Sequence, residues 1–171
     1  MPANPLTWAL VVVTYMREDV LPRCLRLGAA QTRPPLEIIV VDSSPEWEST
    51  RERVLREMAP LWPGVQWHYL KAERRSIASQ RNQGVHAASA DVVFLFDDDS
   101  LMYPDCAAEI MRVYDADTGR SVVGVNATNV AVPPDASYAS EMNAPTEFTI
   151  PPRTKVLSPV GCGAYFLHFQ Q

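Results

Sequence analysis

Three consecutive carboxylates, Asp97-Asp98-Asp99, follow directly on five apolar residues, Val92-Val93-Phe94-Leu95-Phe96. Like charges this close repel unless a cation sits among them, and oxygen-only ligands suit Mg2+ or Mn2+. Such ions are usually completed by water and by the phosphates of a substrate. The triplet therefore points to a metal-dependent site for a phosphorylated small molecule. A second reading stays open on these residues alone: an acidic turn between strand and helix, with Asp99 or Ser100 capping the helix that follows. The apolar run reads as a strand of a parallel sheet, covered on both faces. Its acids would then stand just past the carboxyl end, where open α/β sheets bind ligands.

That placement needs a sheet, and the rest of the chain supplies one. Trp8 to Thr14 reads as a first strand rich in β-branched residues, and Tyr15 to Glu18 as a polar turn. A helix is predicted over 19–31, with Leu21, Cys24, Leu25 and Gly28 inward. Glu18 and Asp19 suit its positive end, and Pro22 is tolerated in its first turn. Pro34-Pro35 stops it. A second strand over 37–41 runs into Asp42-Ser43-Ser44-Pro45. A helix over 46–58 turns Trp47, Val54, Leu55 and Met58 inward, and Pro60 and Pro63-Gly64 break the chain. A strand over 65–70, a helix over 76–89 and the acid strand follow. Pro104 starts a helix carrying Ile110, Met111 and Tyr114, and 121–127 reads as a fifth strand. This alternation predicts a parallel, right-handed crossover sheet with helices on both faces. From Thr128 to Pro159 prolines replace periodicity, and Val160 to Leu167 reads as one more strand before the chain ends at Gln171.

Composition narrows the classes of function. The chain has 171 residues, 47% hydrophobic and 20% charged, which is ordinary for one globular domain with a real core. Its net charge of -5 argues against a nucleic-acid surface. Cys24, Cys106 and Cys162 show no metal or redox spacing, so reduced thiols in a cytoplasmic setting are expected, with Cys24 and Cys106 as core residues. His68, His86 and His168 form no ligand pair. No stretch approaches the ~18 apolar residues of a membrane span, and Met1 to Thr7 shows no signal peptide. Peripheral association with the inner face of a membrane stays open.

Four anchors occur in order: Val11-Val12-Val13-Thr14-Tyr15-Met16-Arg17, Glu37-Ile38-Ile39-Val40-Val41-Asp42-Ser43-Ser44, Ser79-Gln80-Arg81-Asn82-Gln83-Gly84, and Asp91 through Asp99. Each stands at a strand end or a helix start. Together they resemble the family 2 glycosyltransferases, with their GT-A fold and DXD motif, over 8–127 and more loosely over 161–167. The resemblance implies an α/β, Rossmann-like, mostly parallel GT-A sheet whose C-terminal part is incomplete. It implies a donor-binding domain over 1–127 and a partial acceptor-side region over 128–171. It further implies a nucleoside diphosphate sugar as donor, UDP- or dTDP-linked. The resemblance implies an acceptor hydroxyl, on a polysaccharide, lipid carrier, protein or small molecule, and inverting transfer.

The resemblance also implies roles. Thr14, Tyr15 and Arg17 fall where the family's first loop holds the nucleotide. Asp42 matches the acid that accepts a hydrogen bond from the base, and Arg81 lies near the nucleotide and the acid loop. Asp99 is the first choice as ligand to Mn2+ or Mg2+, with Asp97 or Asp98 on the ribose or on the metal and its water. Gly161 and Gly163 resemble the small-residue strand bordering sugar and acceptor. Inverting transfer needs a general base, which the family supplies downstream of that strand. After Gly163 no Asp or Glu follows, and Glu141 and Glu147 have no spacing to recommend them. The sequence thus reads as a truncated catalytic domain that binds donor and transfers sugar poorly.

Other classes fit less well. A dinucleotide-dependent oxidoreductase would place a Gly-x-Gly-x-x-Gly turn at Thr14-Tyr15-Met16-Arg17. A haloacid-dehalogenase-like phosphatase would place its nucleophilic Asp where Thr14 stands, and a related nucleotidyltransferase would show a glycine-rich, basic first loop. The alternative that remains is a non-catalytic nucleotide-sugar binding or interaction domain.

Overall fold

β1 (Trp8–Thr14) is buried along its whole length, as a run of β-branched and apolar residues in the middle of a sheet must be. The protein is described here by a computed structural model covering residues 5–129, 134 and 163–166, with backbone pairing alone for 128–129 and 163–166. β1 pairs in parallel with β2 (Glu37–Asp42) on one side and β4 (Val92–Asp97) on the other, and β3 (Gln66–Lys71) pairs in parallel with β2. The order is β3-β2-β1-β4. Side chains alternate across this sheet. Leu10, Val12, Ile38 and Val40 join a large core with α1 (Leu21–Ala29), α2 (Trp47–Met58) and α4 (Cys106–Ala116). Val11, Val13, Ile39 and Val41 form a smaller cluster on the face that carries α3 (Ile77–Ala87).

Gly84 explains how closely α3 seats there. A Cβ at this position would stand 2.4 Å from Val11 Cγ1 and 3.4 Å from Val41 Cγ2. The expected inward faces also hold: Leu21, Cys24, Leu25 and Gly28 are buried in α1, and Val54 and Met58 in α2. Trp47 and Leu55 are half-buried. Ile110 and Met111 are buried in α4. α1 begins at Leu21 rather than at residue 19, with Pro22 in its first turn.

Polar anchors pin the amino ends of the strands. The Thr7 N–H and hydroxyl donate to Asp91 Oδ2 at 2.8 and 2.7 Å. Glu37 is buried at the start of β2, where its Oε1 accepts from Ser89 N, Ser89 Oγ and Ala90 N at 2.6, 2.9 and 2.9 Å. Arg33 grips both carboxylate oxygens of Asp115 and donates to the Leu6 carbonyl.

Four expectations fail, each for a physical reason. β4 is not covered on both faces: among the described residues it pairs with β1 alone, and Leu95 is 47% exposed. The acid triplet leads into a strand, β5 (Ser100–Met102), and not into a helix, so neither Asp99 nor Ser100 is a helix cap. β5 pairs antiparallel with β7 (Gly163–Phe166), which pairs in parallel with β6 (Thr128–Asn129), making a second sheet. Residues 121–127 form no strand beside β4. Asp117 Oδ2 captures the Val122 N–H at 2.6 Å, Arg120 adopts a positive φ of 49°, and Val123 is fully exposed. A cavity of about 320 Å3 is lined by Val123 to Ala127 and by Val93 to Phe96 of β4. The thiols also differ: Cys24 is free, but Cys106 is disulfide-bonded. Pairing of β5 with β7 brings the late chain close to the start of α4, a proximity that linear spacing does not reveal. Gly161, Cys162, Glu141, Glu147 and His168 lie outside the described residues. Among the described residues no helix is long and apolar enough to cross a membrane.

Candidate active site at the carboxyl ends of the strands

Sheet register assembles the site. Thr14 stands beside Asp42, and Val13 beside Asp97, so the ends of β1, β2 and β4 lie level. The three acids then take different environments. Asp98 is buried: its Oδ2 accepts from the Thr14 hydroxyl at 2.7 Å and its Oδ1 from Arg17 Nη1 at 3.0 Å. Burial raises the Asp98 pKa above the usual carboxylate value, against the pull of Thr14 and Arg17. The same Arg17 Nη1 donates to Asp99 Oδ2 at 2.8 Å, and this bond leads the causes that raise the arginine's own pKa. Asp97, the most open of the three, receives Arg81 Nη2 on its Oδ1. The Cys24 thiol donates to the Asp97 carbonyl at 3.5 Å. Burial above all, then the three acids, raises its pKa and keeps it protonated and inert.

Asp42 sits deeper. Its Oδ1 accepts the Ser44 N–H at 2.7 Å and its Oδ2 the Tyr69 hydroxyl at 2.6 Å. Burial, followed by this contact with Asp42, drives the Tyr69 pKa up, so the phenol stays a donor. Tyr15 carries the Arg75 guanidinium over its ring, 3.6 Å from the centroid. The first loop turns sharply at Met16, whose φ of 51° is unusual for a residue with a side chain, and the Met16 N–H donates to Ser44 Oγ at 2.7 Å.

All the residues singled out before the triplet, Thr14, Tyr15, Arg17, Asp42 and Arg81, thus gather with Asp97, Asp98 and Asp99 at one end of the sheet. Gly163 opens β7 opposite Thr128. In that register Phe166, not Gly163, faces Ser100 beside the acids. Sequence reasoning missed Gln80. This buried side chain on α3 donates to the carbonyls of Thr14 at 3.1 Å and Val41 at 2.9 Å, and its Oε1 accepts from Ser43 at 3.4 Å. It lies inside the Ser79–Gly84 anchor, where the neighbouring Arg81 drew the attention. Tyr69 was also passed over. It pairs with Val40, two residues from Asp42 and on the same face, a signal that only the register supplies.

The sequence profile of glycosyl transferase family 2 matches residues 9–170. The chain belongs to this family. No curated protein sequence matches it. Among solved structures, it resembles the mannosyltransferase PcManGT from Pyrobaculum calidifontis in complex with GDP-Man and Mn2+, at TM-score 0.57 and 26% identity, covering 68% of this chain and 34% of that one. It also resembles S. aureus TarS 1-349 in complex with UDP, at TM-score 0.52 and 19% identity, covering 64% of this chain and 32% of that one. The second likeness concerns the fold. The family 2 chain therefore carries a GT-A type of α/β sheet and spans about a third of the length of these two structures.

The acid loop suits a divalent ion by its chemistry. Its donors are all oxygens, the kind a hard divalent ion takes together with phosphate and water. Among the described residues no three His, Cys, Asp or Glu side chains converge to hold one by themselves. Asp99 and Asp97 are the carboxylates best placed for it, because each keeps one oxygen without a protein donor, whereas both oxygens of the buried Asp98 are engaged.

Proposed function

We propose that the chain binds a pyrimidine nucleoside diphosphate sugar, UDP- or dTDP-linked, for metal-dependent transfer of the sugar to an acceptor hydroxyl. The observation that carries this reading is the convergence of Asp42, Asp97 and Asp99 with Thr14, Tyr15, Arg17 and Arg81 at level strand ends, in a member of this family. Asp42 is the acceptor for the base N–H. Each of its oxygens has one protein donor and keeps a second lone pair. Tyr15 offers its ring beside the base. Thr14 holds Asp98 in place, Arg81 holds Asp97, and Arg17 is within reach of the diphosphate. A divalent ion on Asp99 and Asp97 would neutralise the departing diphosphate. The sugar passes through an oxocarbenium-like state, so leaving-group stabilisation is the main electrostatic task of these residues. Inversion at the anomeric carbon is the stereochemical expectation.

Calorimetry of UDP with and without Mn2+, on the unaltered chain and on Asp99→Ala, tests the reading. Metal-dependent binding that disappears in the variant supports it. A folded chain that binds GDP as tightly as UDP removes the pyrimidine assignment, and one that binds neither removes the donor site.

A further inference from the structure

We infer that Arg17 is a tethered counter-ion that closes the acid pair Asp98–Asp99 in the ligand-free protein and must swing away before a divalent ion can enter. A single atom, Arg17 Nη1, bridges Asp98 Oδ1 at 3.0 Å and Asp99 Oδ2 at 2.8 Å. The side chains of these acids are only 7% and 14% exposed, whereas that of Arg17 is 39% exposed, so the guanidinium is their solvent-side partner. Asp98 has no spare oxygen to offer in exchange, because Thr14 takes the other one. Asp97 is paired with Arg81 through Oδ1 alone, and Asp99 with Arg17 through Oδ2 alone. A dication on the open oxygen of Asp99 therefore arrives beside the Arg17 guanidinium.

Two features make this a competition and not a sharing. A guanidinium keeps its proton, so it cannot relieve the repulsion from a nearby dication by neutralising itself. And the side chain, rather than the loop, is what can move. The Arg17 carbonyl accepts from Val20 N and Leu21 N at 3.1 and 3.0 Å, which fastens its backbone to the start of α1. The Met16 N–H is fastened to Ser44. The released guanidinium needs another anion, and a diphosphate at the same strand ends matches its planar fork. On the donor-binding reading proposed above, metal and nucleoside diphosphate then bind as a coupled pair. Each raises the affinity of the other by the same factor.

The test is Mn2+ binding by the full chain, followed through the electron paramagnetic resonance signal of free Mn2+. It is run with and without saturating UDP, on the unaltered protein, Arg17→Gln and Arg17→Lys. Arg17→Gln is expected to bind Mn2+ alone roughly tenfold more tightly than the unaltered chain. Arg17→Lys keeps the positive charge and is expected to remain weak. UDP is expected to strengthen Mn2+ binding by about tenfold in the unaltered chain and by less than about threefold in Arg17→Gln. Adding Asp99→Asn to Arg17→Gln is expected to abolish the gain. Unchanged or weaker Mn2+ binding by Arg17→Gln overturns the inference, as does a gain that survives Asp99→Asn. A gain in Arg17→Gln with no effect of UDP on any of the proteins supports the counter-ion role and refutes the donor reading. A UDP effect of equal size with and without Arg17 does the reverse.

Discussion

Gly84→Ala should couple a loss of stability to a loss of affinity at the site. The added Cβ would stand 2.4 Å from Val11 Cγ1, whereas ordinary carbon contacts begin near 3.5 Å, so α3 and β1 must part by roughly 1 Å. Val11 is a poor candidate to yield, because it is fully buried and β-branched. Overpacking of this kind costs about 2 kcal/mol, and replacing glycine in a helix returns about 1 kcal/mol. These two leave about 1 kcal/mol, and the two Gln80 hydrogen bonds broken by the lift add about 2 kcal/mol, so the melting temperature should fall by ~9 °C for a chain of this size. The consequence also reaches the site. A rigid lift of α3 by roughly 1 Å would take the Gln80 Nε2 to Val41 O contact from 2.9 Å to well beyond hydrogen-bond range, and the Thr14 contact with it. Losing two such bonds at the loops that would hold the nucleotide corresponds to about tenfold in UDP affinity. Gly28→Ala is the internal control. Its Cβ would meet Leu10 Cδ2 at 2.3 Å, the far end of a longer side chain that can turn about χ2. That variant should lose less stability and keep UDP affinity. Denaturant melts and UDP calorimetry on both variants decide. A Gly84→Ala protein matching the unaltered chain in midpoint and affinity refutes the reasoning, and so does a Gly28→Ala protein that proves the weaker binder.

Other perturbations separate stability from binding. Glu37→Ala strips a buried acceptor from Ser89 N, Ser89 Oγ and Ala90 N and should cost about 3 kcal/mol in urea unfolding, with UDP affinity of the folded protein unchanged. Tyr69→Phe leaves Asp42 Oδ2 without its donor, so it should cost about 1–3 kcal/mol and also weaken UDP binding, read from the same two assays. The pKa of Asp91 is lowered by the Thr7 N–H and then the Thr7 hydroxyl, and that of Asp115 chiefly by its hydrogen bond to Arg33. A lowered folded value means that this stabilisation is complete above the unfolded value near ~4 and is lost as pH falls through the folded one. Thermal melts of Asp91→Asn should therefore show a shallower decline below about pH 4 than those of the unaltered chain, and equal declines would remove this account.

Much of this was legible in the sequence because burial on both faces leaves a plain mark on β1 and β2. β4 reads as an equally apolar run although it is only half-buried, and Pro34-Pro35, Pro60 and Pro63-Gly64 end the helical segments between the strands. The level strand ends follow from parallel pairing, so Asp42 and the acid triplet could be placed together before any coordinates. What could not be read were contacts between residues far apart in the chain. Residues 121–127 have strand-like composition, but Asp117 takes the Val122 N–H that a ladder would need. The turn after Asp99 resembles a helix start, and only the arrival of β7 from more than sixty residues away makes it a strand. Gln80 escaped notice because its importance lies in two carbonyls on different strands. Arg17 was assigned to the nucleotide, and its grip on two of the acids appears only in three dimensions.

The anchors at the amino ends of the strands have a bearing on how this chain can be altered. Thr7 with Asp91, Glu37 with Ser89 and Ala90, and Arg33 with Leu6 and Asp115 secure one end of the sheet, while the acids and arginines crowd the other. In a random mutant library the two ends should score on different axes. Lesions at the first set should be rescued by a generally stabilising background, whereas lesions at the second should not. Such a division makes the loops after β1, β2 and β4 the place to direct diversity when a changed donor preference is sought, provided that the buried Asp42, Gln80 and Asp98 are kept.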